Sequence, residues 1–591
     1  MKATRYILRR PAPLFHPAGI GVIARFLVPI LALILTTAIC SADATVVDTN
    51  STVNAVAETG DVDLTGLSIE QLMNIKVSIL GPSETVSQTP AAVSVVTHEQ
   101  IKRSGALSFP EALRLVPGMD VAQVDSSQWA VSARGFNDVF ANKLLVLQDG
   151  RSIYTPLFSG VFWDVQGTMM EDVDHIEVVR GPGATLWGAN AVNGVINILT
   201  KSAEDTQGAL FSGGGGLQDR GFANARYGGK IGDNAYYRVY GTYLNRDDTL
   251  LPDGSSGHND WQAVRGGFRT DWNVTDDNLV TFQGDAYAGW VNQVFGIFDP
   301  ANPPTFNRSV RDQDDIRGGN VLGRWTHTIS DTANFKVQAY YDRTDQKAVI
   351  LDEKRNTFDL NFQHEFSLGE RNHFVWGLGY RVTSDTEQNN ANITFSPENQ
   401  TLNLFSAFAQ DEIRLVKDKL SLTLGSKFEH NDYTGVEWQP GARLLWTPEK
   451  HQTFWASISR AVRTPSRADE SITLTQSRAV APGFYVPVTV YGDNHFDSEN
   501  VIAYEIGYRA QPFDNFSLDL AAFYNDYDNL RSQDQKSPLN PTVFVLGNNL
   551  SAKTYGVEAT TTWRVTHNWQ LQPTYTFLQM DVDSHPSQSR Y

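Results

Sequence analysis

Side chains able to carry chemistry are present in this sequence, but their spacing matches no catalytic or metal-binding pattern. The 12 histidines are scattered, Cys40 is the single cysteine, and no HExxH, GxSxG or P-loop pattern occurs. Aromatic rings suit a catecholate or a large ring ligand, with packing in a core as the alternative for most of them. The candidate ligand contacts are Trp129, Phe136, Tyr154, Phe158, Phe162 and Trp163. The sequence therefore predicts a protein that is not an enzyme and carries neither a cofactor nor a metal site.

The elements that follow these residues have the period of β-strands. From about residue 208 onward, apolar and polar residues alternate, and about 17 strands can be counted, many of about 10–15 residues. Ile502, Tyr504 and Ile506 share one face, so Glu505 lies on the other; Tyr555 and Val557 place Glu558 in the same way. Strands of this length, apolar outward and polar inward, are typical of an antiparallel transmembrane β-barrel rather than a soluble sandwich.

The connections between these strands also alternate in length. Tight turns are predicted near residues 232, 275, 330, 369, 417, 448, 513 and 566, and long connections at 246–259, 292–315, 385–400, 463–498 and 533–550. Short turns on one side and long loops on the other distinguish the periplasmic and extracellular ends of a bacterial outer-membrane barrel. A soluble propeller or β-helix has no reason to show this asymmetry.

Residues 85–205 have a mixed pattern instead. Short β stretches at 93–96, 144–147, 176–179 and 195–199 alternate with helical spacing at 99–104 and 109–118. This predicts a small α+β domain in front of a barrel that spans 206–591. A barrel of about 22 strands would be an open hole unless such a domain plugged it.

Several runs in the chain resemble TonB-dependent outer-membrane receptors. The plug runs are Thr89-Pro-Ala-Ala-Val-Ser-Val-Val-Thr97, Arg134-Gly-Phe136, Leu147-Gln-Asp-Gly-Arg151 and the long, specific stretch from Ile176 to Thr200. Weaker echoes follow in the expected order in the barrel, at 408–412, 459–466, 504–507 and 555–558. The resemblance implies active import of a scarce ligand across the outer membrane, driven by TonB with ExbB and ExbD.

A ferric siderophore is the ligand class that the resemblance implies first. Cobalamin, haem, a sugar or another metal chelate are the alternatives, and a passive porin-like barrel or a non-functional fragment is the alternative class. The resemblance also implies that Arg134 and Arg180 of the plug face Glu505 and Glu558 of the barrel wall as a latch. Lumen charges scattered without a common role are the other interpretation.

Receptors of this family also carry a short TonB box before the plug. The β-prone residues Ile75, Lys76, Val77, Ser78 and Ile79, within the N-terminal segment 45–84, are the candidate. An ordinary strand leading into the plug is the alternative.

The N-terminus has the pattern of a signal peptide over residues 1–44. Basic residues precede an apolar core at 26–40, and Ala42-Asp43-Ala44 fits a cleavage site. A lipoprotein signal acylated at Cys40 and an N-terminal anchor helix are the alternatives. The chain carries a formal charge of −18, which argues against a nucleic-acid partner.

The C-terminus is expected to be incomplete. Residues 583–591 have the composition of a loop, and about 17 strands fall short of the about 22 that the resemblance implies. The predicted location is the outer membrane of a bacterium, with its lipid as a partner.

Overall fold

The computed structural model describes residues 75–78, 84–482, 484–566 and 568–584. The predicted signal peptide at 1–44, most of the segment 45–84, including Ile79, and residues 585–591 lie outside the described residues. Among the described helices, none is both long and apolar enough to cross a bilayer.

The N-terminal part is a mixed α+β unit built on one five-stranded sheet. The strand order is β3-β8-β9-β6-β7, with β6 and β9 parallel and the other pairs antiparallel, while β1 pairs with β2 and β4 with β5. The elements are β1 (Lys76–Val77), β2 (Glu84–Thr85), β3 (Ala92–Thr97), α1 (His98–Ser104), α2 (Phe109–Leu113), β4 (Met119–Gln123), β5 (Trp129–Ala133), β6 (Leu144–Gln148), β7 (Arg151–Ser152), β8 (Val173–Arg180), α3 (Ala184–Trp187) and β9 (Gly194–Thr200).

Local sequence explains the bounds of helix α1. Thr97 and Gln100 form a reciprocal capping box at its start, and Gly105, in the left-handed conformation at φ 72°, ends it. Ile101, Phe109 and Leu113 pack with Ile176 and Ile196 of the sheet in one core. The four β stretches and the helix at 99–104 predicted in this region are confirmed, whereas the second helix is present but ends at Leu113 and does not extend over the predicted 109–118.

The remaining strands form one wall around this unit, antiparallel except where residues 489–491 pair in parallel with residues 543–545. They are β10 (Gly208–Gly214), β11 (Asp219–Ile231), β12 (Ala235–Arg246), β13 (Trp261–Thr275), β14 (Asn278–Phe298), β15 (Asn307–Ser330), β16 (Ala333–Lys347), β17 (Asp352–Leu368), β18 (Asn372–Glu387), β19 (Ile393–Phe395), β20 (Asn399–Val416), β21 (Leu420–Asn431), β22 (Gly435–Glu449), β23 (Gln452–Arg463), β24 (Ile472–Ala481), β25 (Phe484–Tyr491), β26 (Glu499–Phe513), β27 (Phe516–Ser537), β28 (Asn540–Thr566), β29 (Trp569–Leu571) and β30 (Thr574–Ser584). Seventeen wall strands remain, as the sequence pattern predicts, when the short or peripheral β19, β24, β25 and β29 are set aside.

The alternation of the wall strands has the predicted sense. Ile502, Tyr504 and Ile506 are exposed on the outside, whereas Glu505 and Glu558 are buried inside. A belt of large apolar side chains on the outer face is the surface that lipid requires. All eight predicted tight turns lie at, or within two residues of, a junction between consecutive strands.

Two of the predicted long loops are wrong. Strands β14 and β15 continue through most of 292–315 and leave only residues 299–306 as a connection, and β27 and β28 meet across a two-residue turn within 533–550. Both are hairpins that extend beyond the apolar belt, so their polar side chains give no inside-outside alternation. The loop at 463–498 carries its own structure, with helix α4 (Arg467–Ser471) and the hairpin of β24 and β25.

Candidate functional site

Two arginines of the inner unit meet two glutamates of the wall. Arg134 follows directly after β5 in the left-handed conformation at φ 56°, with Gly135 at φ 103°, and this turn directs its side chain at the wall. Arg134 Nε lies 3.1 Å from Glu558 Oε1, and its Nη1 binds Glu505 Oε1. Arg180, the last residue of β8, places Nε 2.9 Å from Glu558 Oε2. Two positive charges therefore balance two negative ones in a buried cluster.

Neighbouring groups hold two members of this cluster, Arg180 and Glu505, in place. Arg180 Nη1 donates to Ser94 Oγ and to the Pro117 carbonyl, both at 2.7 Å, and Ser457 Oγ donates to Glu505 at 3.1 Å. Gly181, at φ 99°, lies so close to Glu505 that a Cβ at this position would clash with the carboxylate. The structure thus brings together the four residues of the predicted latch; their role as a latch stays a prediction.

A cavity of about 520 Å³ opens at the end of the molecule where the long connections lie. Its floor consists of aromatic residues of the inner unit, with Phe140 edge-on to Phe158 at 5.2 Å and Phe158 edge-on to Phe162 at 4.9 Å. Its walls come from the outer ends of the wall strands, from the connection at 385–400 and from the loop at 463–498, including Phe295, Phe395 and Ile472. The size and the mixture of rings with a few polar groups are those of a small-molecule site.

Four of the six predicted aromatic contacts line this cavity: Trp129, Phe158, Phe162 and Trp163. Phe136 and Tyr154 lie elsewhere. Phe136 packs edge-on against Tyr527 with 5.1 Å between ring centroids, and the Tyr154 hydroxyl donates to Ser159 Oγ at 2.8 Å. Phe140, Phe295 and Phe395 complete the aromatic lining. Sequence reasoning missed Phe295 and Phe395 because their positions depend on how the outer connections fold over the inner unit, and it missed Phe140 because no sequence motif distinguishes this plug residue.

Family models match nearly the whole described chain. Residues 85–195 match the TonB-dependent receptor plug domain, and residues 196–589 match the TonB-dependent receptor-like β-barrel. The chain belongs to the TonB-dependent receptors. It is accordingly an outer-membrane protein of a family of receptors and transporters, and its inner unit is the plug and its wall the barrel.

Individual relatives are distant but extensive. The receptor is 22% identical over 536 residues to the iron-regulated outer membrane virulence protein of Vibrio cholerae, covering 86% of this chain and 78% of that protein. It is 22% identical over 492 residues to the vitamin B12 transporter BtuB of Vibrio vulnificus, covering 82% and 75%. The structure of the ferric enterobactin receptor PfeA of Pseudomonas aeruginosa superposes with a TM-score of 0.67 at 19% identity, over 82% of this chain and 79% of that chain, which shows the common fold.

The predicted TonB box is docked on the plug. Val77 is buried among Val93, Leu145, Val179 and other apolar residues. Ser78 donates from its backbone N to Glu177 Oε1 at 2.8 Å and from Oγ to Oε2 at 3.0 Å, and Asn197 Nδ2 donates to the same carboxylate at 3.1 Å. Glu177 therefore fixes the C-terminal end of the described box residues.

Removing this carboxylate should free the box. In Glu177→Ala, a spin label at residue 76, placed by Lys76→Cys in a Cys40→Ser background, should change from a largely immobile to a largely mobile spectrum. Ser78 then loses two hydrogen bonds to a charged group, each worth about 1.5–3 kcal/mol. Glu99→Ala, which breaks an exposed pair with Arg103 elsewhere on the plug, is the control and should leave the spectrum unchanged. An immobile label in Glu177→Ala would mean that packing of Val77 alone holds the box.

A histidine next to Glu177 makes plug stability depend on pH. Burial lowers the pKa of His175, but hydrogen bonds to Asp174 and Glu177 outweigh it and raise the pKa to about 9, from 6.5. The charged ring therefore contributes stability that is complete below about pH 6.5 and is lost as the pH rises through about 9. We expect the urea midpoint of the plug to fall between about pH 7 and about pH 10, and the fall to become smaller in His175→Asn. Equal slopes in the two proteins would contradict this assignment.

One contact between the wall and the start of the plug that the sequence did not suggest is made by Arg509 of β26. Its guanidinium donates to the carbonyls of Val86 at 2.8 Å, Thr89 at 2.7 Å and Ala91, and pairs with Asp519 at 2.7 Å. This residue lies near the tight turn between β26 and β27, at the end opposite the aromatic cavity. Arg509 therefore ties the barrel wall to the part of the chain that follows the candidate TonB box. Most of its acceptors are backbone carbonyls, which every residue carries, so no sequence pattern predicts the contact.

Proposed function

We propose that this receptor imports a ferric siderophore across the outer membrane with energy delivered by TonB, ExbB and ExbD. The observation that carries the proposal is the arrangement of two sites at opposite ends of one plug. The aromatic cavity lies at the end with the long connections, and the described residues 75–78 and 84–91, which include most of the candidate TonB box, lie at the end with the tight turns. Active import requires a ligand site on one side of the plug. On the other side it requires a segment that the inner-membrane TonB complex can bind.

The names of relatives support iron as the cargo. Ferric enterobactin receptors and an iron-regulated virulence protein are among the proteins similar to this chain. Vitamin B12 transporters are also among them, so a cobalamin is the second candidate. The aromatic floor of the cavity suits the apolar faces of either kind of chelate.

Uptake by whole cells tests the proposal. Cells lacking their own siderophore receptors and expressing this chain should accumulate radioiron from a ferric siderophore, and should stop when TonB is deleted or a protonophore is added. Val77→Pro should abolish uptake without reducing the amount of receptor in the membrane, because proline cannot continue the strand that TonB would extend. Uptake that persists without TonB would favour the passive barrel, and uptake of labelled cobalamin alone would favour the second candidate.

A further inference from the structure

The aromatic cavity carries very little positive charge. Among the described residues that line it, the ionisable ones are Asp164, Asp314 and Arg531, and five glutamines supply most of the remaining polarity. Arg531, the single cation, already has its Nη1 3.6 Å from Asp469 and donates its backbone N to Glu499. A site for a multiply charged anion would need several arginines or lysines facing the ligand.

Asp314 is the most informative group in the cavity. It lies on the inward face of β15, it is 4% exposed, and its Oδ1 accepts no hydrogen bond from any described residue. A buried carboxylate oxygen without a donor is costly unless a partner arrives. Asp164, in the plug floor below, adds a second carboxylate to the same cavity. The two carboxylates disfavour an anion and offer acceptors to an ammonium or amide N–H.

We propose that the receptor selects a chelate with no net negative charge, which lays its apolar body on the floor of Trp129, Phe158 and Phe162 and presents an ammonium or N–H donor to Asp314. This inference rests on the proposed function, because it assumes that a metal chelate is the cargo of this cavity. The proposal excludes a trianionic ferric tris-catecholate as the preferred ligand. It favours siderophores of the hydroxamate type, whose ferric complexes are neutral or cationic.

Calorimetric titration of the detergent-solubilised full chain tests this selectivity. The probes are a linear ferric trihydroxamate with a free ammonium group, the same complex with that amine acetylated, and a ferric tris-catecholate trianion. We expect the ammonium form to bind at least about tenfold more tightly than the trianion, with the acetylated form between them. Asp314→Asn should weaken the ammonium form about tenfold and leave the acetylated form within about twofold.

A second test variant and a control variant complete the experiment. Asp164→Asn should also weaken the ammonium form selectively, which keeps the inference testable if Asp314→Asn folds poorly. Asp299→Asn, which alters an outer carboxylate paired with Arg308 away from the cavity lining, should bind all probes like the native chain. A trianion that binds as tightly as the ammonium form would overturn the selectivity and leave siderophore import standing. A folded receptor that binds none of the three probes would overturn both.

Discussion

Replacing Glu558 by alanine is expected to loosen the plug from the barrel by about 3–5 kcal/mol. The substitution leaves Arg134 and Arg180 buried with Glu505 as their only remaining partner in the cluster, so one positive charge is uncompensated. Urea unfolding should show an earlier plug transition, and hydrogen exchange should speed up in β5 and β8, where the two arginines originate. This is the largest effect expected from removing a single side chain of the latch.

Two further variants separate a latch from an ordinary ion pair. Asp345→Ala removes a partly exposed wall carboxylate that faces the exposed Arg343 at 3.8 Å, so it should cost less than about 1 kcal/mol. The double variant with Arg180→Met and Glu558→Leu leaves Arg134 and Glu505 as a balanced pair. It should therefore recover much of the stability that Glu558→Ala loses. A loss in Glu558→Ala no larger than in Asp345→Ala would refute the latch.

Much of the barrel could be predicted because the direction of each side chain in a strand depends on its neighbours in sequence and repeats every two residues. The outward positions of Ile502, Tyr504 and Ile506 follow from alternation alone, and alternation also places Glu505 inside. The turn near Gly369, at φ 66°, is encoded by a residue that tolerates the left-handed conformation. Pairing Arg134 and Arg180 with particular glutamates needed the family resemblance, since nothing in the spacing joins residues more than 300 positions apart.

The cavity could be predicted only in part. Trp129, at the start of β5, and Phe158, in a plug loop, stand out in the sequence, but Phe295 reaches the cavity from a hairpin whose polar composition is typical of a loop. Antiparallel pairing such as Val294 with Arg311 satisfies the backbone of that hairpin beyond the lipid, where side-chain alternation no longer reports strand structure. The ligand site therefore lies where sequence periodicity carries least information.

The second large effect is expected at Arg509. In Arg509→Met, the carbonyls of Val86, Thr89 and Ala91 lose their shared donor, and Asp519 loses its ion pair. Buried carbonyls without a partner cost about 1–3 kcal/mol each, so the total should reach about 3–5 kcal/mol after relaxation. Hydrogen exchange of residues 84–97 should accelerate far more than exchange of β6 and β9 in the centre of the plug sheet.

This contact also determines where a pull on the box would be resisted. The chain from residue 78 to β3 passes through the segment that Arg509 holds, so once the box has left its contacts on the plug, a pull on it reaches the Arg509 contact before it reaches β3. Arg509→Met should therefore let a bead-attached TonB fragment extract β3 at lower force, whereas Arg414→Met, at an exposed wall arginine near another tight turn, should not. Equal extraction forces in Arg509→Met and the native receptor would show that the sheet itself, and not the Arg509 contact, bears the load.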